Sequence, residues 1–286
     1  MEELPTSKVG GLWSCGLLFF YLVIRLAALC CELLGLSSAS LGLTGWVFGL
    51  ALYSVFGFAV LLGSAFGVTS TAPQFASCSG ENFTTNGEYE TNLNKLMSYL
   101  YVQAPPTGFG LGSIGQKASN IKVYGLALCR GDVSTQNCST CVAEAISYVR
   151  ENCPNSLQAM VWYDNCGLKY SNEDFFGHID GLKMVHTRIN VSNSDVFDQK
   201  AKVLLTQLAK EASVTPKMYA AGELALEDQL KKVYGLAQCT RDLSHSNCKR
   251  CLDGLISEVP NGKQGGFVIS SSCNIRYETY QFVNHV

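Results

Sequence analysis

Apolar residues recur along this chain with three rhythms, and each predicts a different kind of element. In EYETNLNKLMSYLYV, Tyr89, Leu93, Leu96 and Leu100 fall on one side of a helix, because residues three and four apart share a face of the 3.6-residue turn. SDVFDQKAKVLLTQLAKEA repeats that spacing with Phe197, Leu204 and Leu208, behind Ser194, whose hydroxyl suits an N-cap. Further helices are predicted to begin at CSTCVAEAISYVREN and at CKRCLDGLISEV. LQAMVWYDNCGLKY and GGFVISSSCNIRYETYQF are short, rich in β-branched and aromatic residues, and read as strands. The third pattern is an unbroken apolar run from Leu41 to Ala72, inside a stretch with no charged side chain between Glu32 and Glu81.

A run of about 18 or more apolar residues is long enough to cross a bilayer as a helix. We read residues 1–72 as a targeting segment, with small residues near Val68–Ala72 where a signal peptidase could cut. The alternative is a retained signal anchor formed by residues 41–68, because the run is long and lies far from Met1. Cys15, Cys30 and Cys31 belong to this segment and carry no information about the fold beyond it.

The remainder is a repeat. KVYGLALCRGDVSTQNCSTCVAEAI, Lys122 to Ile146, returns as KVYGLAQCTRDLSHSNCKRCLDGLI, Lys232 to Ile256, without a gap and at an offset of 110 residues. CGLKY at Cys166 matches CNIRY at Cys273 at nearly the same offset. Two domains follow, residues 73–182 and 183–286, each a mixture of helix and strand. The order of elements fits an antiparallel sheet with two helices on one face, an α+β fold.

Composition changes this picture in two respects. The net charge of −2 offers no basic face for nucleic acid. It is unevenly divided, about −4 from Cys78 to Asp180 and +3 from Gly181 to Val286, so the two copies could dock on each other or on a second chain. The sequons at Asn82, Asn137 and Asn190 point to a secretory route. So do ten cysteines beyond the targeting segment, since an oxidising compartment turns them into staples.

Both copies carry C-x8-C-x2-C, and a C-x2-C pair can hold zinc, run thiol–disulfide chemistry or form structural disulfides. Zinc usually joins two close Cys/His couples, and in the first copy Cys153 and Cys166 stand alone. A redox pair usually has an exposed leading cysteine of low pKa. Even counts of six (Cys78, Cys129, Cys138, Cys141, Cys153, Cys166) and four (Cys239, Cys248, Cys251, Cys273) favour disulfides, with no metal or other cofactor.

With C-x8-C-x2-C followed by C-x2-[RK]-Y, doubled, the chain resembles the plant cysteine-rich repeat secretory proteins, built of ginkbilobin-homologous (salt-stress/antifungal) domains. The same tandem pair forms the ectodomain of cysteine-rich receptor-like kinases and of plasmodesmata-located proteins. The resemblance spans nearly everything after residue 73. It implies, in each domain, two helices on a five-stranded antiparallel sheet. It also implies pairing of Cys129 with Cys138, Cys141 with Cys166 and Cys78 with Cys153, then Cys239 with Cys248 and Cys251 with Cys273. The second copy lacks both partners of one family bridge, reading VPNGKQGG where a cysteine is usual. Loss of a long-loop bridge removes about 2–4 kcal/mol, so the second domain is expected to be the less stable.

The family's prototype binds mannose through an Asn after the first cysteine, an Arg six before the last and a Glu five after it. Those positions are Ser79, Met160 and Ser171 in the first copy; in the second the Arg position is Phe267 and only Glu278 survives. Met and Phe remove hydrogen-bond donors that a sugar needs, so mannose binding is not expected, and Glu278 is assigned a structural hydrogen bond. GFGLGSIG, Gly108 to Gly115, contains G-x-G-x-x-G but lacks the flanking strand and helix of a phosphate cradle, and is assigned to a glycine-rich loop. Arg130-Gly131-Asp132 is assigned to a turn between bonded cysteines, and Trp162 and Tyr163 to a strand packing on the helices. His178, His186, His245 and His285 stand near no patterned nucleophile.

The expected function is that of a secreted, non-enzymatic recognition or defence protein of the apoplast, with an extracellular protein or glycan as ligand. The chain's ending at NHV, directly after the second domain, favours that reading. The alternative is a membrane-anchored interaction or receptor-like partner held by residues 41–68. An oxidoreductase using Cys138 and Cys141 is the enzymatic alternative.

Overall fold

Gly110 and Gly112 of GFGLGSIG lie in a strand, not a loop, and the reason is how closely a helix crosses it. The computed structural model describes residues 72–116, 121–181, 183–188, 195–226 and 231–284. The targeting segment, Asn190, Ser194 and His285 therefore lie outside the described residues. The first domain contains β1 (Phe75–Asn82), α1 (Glu88–Thr107), β2 (Phe109–Ile114), β3 (Val123–Cys129), α2 (Thr135–Asn152), β4 (Ser156–Trp162) and β5 (Cys166–Ser171). The second contains β6 (Lys183–Thr187), α3 (Asp195–Ala212), β7 (Tyr219–Ala225), β8 (Lys232–Cys239), α4 (His245–Ile256), β9 (Gly266–Ser270) and β10 (Cys273–Glu278). Each sheet is antiparallel and five-stranded, in the orders β1-β4-β5-β3-β2 and β6-β9-β10-β8-β7. No helix among the described residues is long and apolar enough to cross a membrane.

Local sequence explains the elements. Ser134 and Ser244 stand at the same point of the repeat, and each hydroxyl accepts the backbone N–H of the residue three on, Asn137 and Asn247, capping α2 and α4. Gly108 closes α1 at φ 79°, a left-handed conformation that suits a residue without Cβ. In the sheets, Gly112 lies opposite Gly125 on β2 and β3, and Gly222 opposite Gly235 on β7 and β8. A Cβ on Gly112 would stand 2.6 Å from the Tyr99 ring, and one on Gly125 2.8 Å from Leu96. The paired glycines form a trough in which α1 lies, and Leu204 and Leu208 of α3 fill its counterpart.

One face of each sheet is covered by its two helices. Leu96, Met97, Leu100, Val142, Val161 and Leu168 centre the first core, and Leu205, Leu252, Leu255, Val233, Val268 and Ile275 the second. Burying one such side chain contributes about 1.5–3 kcal/mol. Disulfides tie helix to sheet: Cys129–Cys138 and Cys141–Cys166 around α2, Cys239–Cys248 and Cys251–Cys273 around α4, and Cys78–Cys153 from β1 to the end of α2. The two cysteines of each C-x2-C take different partners, so the motif staples its helix to two strands. Where the second domain lacks the fifth bridge, polar contacts hold the corresponding loop to α3. Asp198 accepts from the Gly262 amide at 2.7 Å, and Lys202 donates to Asn261 at 2.7 Å.

Candidate functional site

The sheet faces that the helices leave bare meet each other. Side chains alternate across a strand, so Val161 of β4 points to the helices while Met160 and Trp162 point away. Ile269 of β9 occupies the place equivalent to Trp162, and Phe267 that of Met160. With Leu128, these residues form an apolar cluster between the domains. This corrects the assignment of Trp162: only Tyr163 joins the helix side, where it meets Tyr148 edge-on at 6.3 Å. The same alternation is readable in AMVW, Ala159 to Trp162, which is apolar on both faces, as in a strand covered on both sides.

Polar contacts ring the apolar centre. Gln238, 1% exposed, donates to the Cys129 carbonyl at 2.9 Å. Arg241 donates to the Thr107 carbonyl at 2.8 Å, at the C-terminal end of α1, and Lys217 to the Gly131 carbonyl at 3.1 Å. Arg276 pairs with Asp164. Cations of the second domain thus meet acceptors of the first, in the sense of the uneven charge. Arg130-Gly131-Asp132 lies in this seam. The Arg130 and Asp132 side chains are 8% and 4% exposed and bond each other at 2.6 Å, while a Cβ on Gly131 would stand 2.3 Å from Tyr219. Burial alone would raise the Asp132 carboxyl; hydrogen bonds from Arg130 and from the Asn284 amide outweigh it and hold the group below its usual 3.8. The tripeptide is occupied in domain docking.

In the first domain the positions equivalent to the prototype's sugar contacts carry neither its amide, nor its guanidinium, nor its carboxylate. Ser79 is exposed on edge strand β1, Met160 is buried between the domains, and the Ser171 hydroxyl accepts the Glu173 amide at 2.9 Å. The second domain differs, through register. Phe75 pairs with Trp162 and Cys78 with Ala159; Met184 pairs with Ile269 and Thr187 with Gly266. Thr187 therefore stands where Cys78 does, and Arg188 where Ser79 does. Arg188 Nε lies 3.0 and 2.9 Å from the two carboxylate oxygens of Glu278, and Arg276 Nε donates to the same carboxylate at 3.1 Å. Glu278, 1% exposed, accepts a structural pair of guanidinium bonds. His186 stacks on Phe267 with ring centroids 4.8 Å apart. Arg188, Tyr280, Lys263, Gln264, His186 and Glu278 border an open groove of about 820 Å³. Arg188 was not identified from sequence, because the two copies align with different spacing before their first helices.

The remaining residues singled out from sequence are placed as follows. Asn82 is exposed at the end of β1 and Asn137 is exposed in the first turn of α2. All ten cysteines from Cys78 to Cys273 are in disulfides, and no group of three or more His, Cys, Asp or Glu among the described residues is arranged to hold a metal. His178 is 2.8 Å from the Phe176 carbonyl.

Comparison with known proteins agrees with this architecture. The family model "Salt stress response/antifungal" matches twice, over residues 77–173 and 185–280. An antimicrobial ginkbilobin-2-like protein of Castanea crenata is 48% identical, over 79% of this chain and 95% of its own length. Cysteine-rich repeat secretory protein 38 of Arabidopsis thaliana is 46% identical, over 71% of this chain and 81% of its own. Among solved structures, the tandem DUF26 ectodomain of the Arabidopsis thaliana cysteine-rich receptor-like protein PDLP8 superposes with a TM-score of 0.65 at 27% identity, covering 74% of this chain and all of that one. Its extracellular setting and the secretory relatives agree with five disulfides formed in an oxidising compartment. Two matched domains covering most of the chain show that it belongs to the salt stress response/antifungal family, as a secreted, cysteine-rich, two-domain member.

Proposed function

We propose that this protein is a non-enzymatic recognition protein of plant defence that binds an apoplastic ligand other than mannose. The observation that carries the reading is the fate of the two sugar-contact arginine positions. Met160 and Phe267 both lie in the cluster between the domains, so that surface is spent on docking. A mannose hydroxyl there would leave its hydrogen bonds unmade, at about 1–3 kcal/mol for each buried group. The groove along β6 and β10 is the better place for a ligand. Its border of guanidinium, tyrosine and amide groups suits a partner rich in acceptors, such as an apoplastic glycan or an extracellular protein loop. The antimicrobial relative from Castanea crenata supports the defence role.

The test is titration of the secreted protein with mannose and with a panel of cell-wall glycans, followed by amide NMR. Shifts confined to β6, β10 and Arg188 with a glycan, and none with mannose, are expected. Mannose-induced shifts at Met160 or Phe267 would overturn the reading. The charge-free run before Glu81 supports a second reading, a membrane-held partner protein, which retention of residues 41–68 in the mature chain would favour.

A further inference from the structure

One disulfide differs from the other four in exposure, in its place on an edge strand and in its absence from the second domain. Nine of the ten bonded cysteines are 5% exposed or less; Cys78 is exposed. It stands on β1, an edge strand bonded on one side only, to β4. The bridge also lies outside the doubled C-x8-C-x2-C motif. The second domain supplies an internal control: Thr187 occupies the place of Cys78, no bridge is present, and β6 still pairs with β9 over five residues. The second domain therefore keeps this strand pairing without the link, its loop held to α3 by Asp198 and Lys202. In the first domain the β1–β4 ladder and the bond from the Phe83 amide to the Asn155 carbonyl, 2.7 Å, hold the same junction independently of sulfur.

From accessibility and dispensability together, we propose that Cys78–Cys153 is a thiol-exchange site, open to a small thiol of the glutathione class. Rates of exchange depend on which sulfur can be reached. The incoming thiolate attacks Cys78 Sγ, a new S–S bond forms to Cys78, the Cys78–Cys153 bond breaks, and Cys153 leaves as a thiolate that takes a proton from water. A second thiolate then attacks the small thiol's sulfur in the mixed disulfide and frees Cys78. Net, two small thiols are oxidised to their disulfide and the protein bridge is reduced to two thiols. The stretch from Cys78 to Asn82, which already carries a register irregularity between Ser79 and Asn82, loses its tether while both cores stay closed.

The experiment is graded reduction of the folded, secreted protein with glutathione, alkylation, and peptide mass mapping without further reduction. Glutathione adducts at Cys78, and alkylation of Cys78 and Cys153, are expected at concentrations at least about tenfold below those that label any other cysteine, with near-UV circular dichroism unchanged. Opening of another bridge first, adducts on Cys153 in place of Cys78, or no opening before all structure is lost would overturn the proposal. The Cys78→Ser/Cys153→Ser variant is the second arm. It should keep the wild-type spectrum, and failure to fold would overturn the claim that the bridge is dispensable.

Discussion

Replacing Met160 by Arg tests whether domain docking, rather than drift at a single position, removed the sugar-contact arginine. Met160 is 5% exposed, in the cluster with Leu128, Trp162 and Ile269. Burial of such a side chain contributes about 1.5–3 kcal/mol, part of which the aliphatic stem of Arg can recover by lying along the same surface. The guanidinium adds two costs. It places a charge among the apolar neighbours Leu128, Trp162 and Ile269, and it stands directly across the β4–β5 pair from Lys169, where like charges destabilise by about 0.2–1 kcal/mol. The sum is a loss of about 2–4 kcal/mol, near the upper range for a single substitution. Urea unfolding followed by tryptophan fluorescence measures it, because Trp162 is in the perturbed cluster. Mannose titration of the folded variant should still show no saturable shift, since Ser79 and Ser171 supply neither the amide nor the carboxylate. A loss below about 1 kcal/mol, or mannose binding on this one change, would refute the reasoning.

Three further outcomes follow from the geometry. Gly167→Ala places a Cβ 2.6 Å from the Trp162 ring, a rigid neighbour; a loss of about 1–3 kcal/mol is expected from thermal unfolding, and an unchanged midpoint would contradict the tight packing. Asp132 is held below 3.8 by Arg130 and the Asn284 amide. A depressed carboxyl contributes stability that is present above its unfolded pKa and lost as pH falls through the folded one, so the advantage of wild type over Asp132→Asn should be full at pH 6, begin to fall only below about pH 4 and be lost at lower pH still, in parallel urea titrations. Arg241→Ala removes the donor to the Thr107 carbonyl; a loss of about 1–2 kcal/mol is expected, together with faster proteolysis between the domains, and an unaltered digestion pattern would count against Arg241 as an interdomain tie.

Much of the fold was legible in the sequence, because its determinants are local or repeat. The helical faces of Leu93, Leu96 and Leu100 and of Leu204 and Leu208 follow from spacing alone. The doubled C-x8-C-x2-C marks two domains, and the even cysteine counts favour staples over zinc. The glycines of β2 differ from the loop expected because spacing cannot tell a flexible loop from a strand pressed against a helix; only the Tyr99 ring, 2.6 Å from where a Cβ on Gly112 would stand, does that.

What the tertiary structure decided is everything that depends on which face meets which. AMVW is apolar on both sides, but the partner for its second face lies more than a hundred residues away, in Phe267 and Ile269. Arg188 became the partner of Glu278 only through the register of β6 on β9, which differs from the simple repeat offset. Composition indicated that the copies carry opposite charge, but not that Arg276 would meet Asp164. Sequence determines periodicity and chemistry along the chain; the joining of remote surfaces is set by sheet register and by burial, which only the folded chain contains.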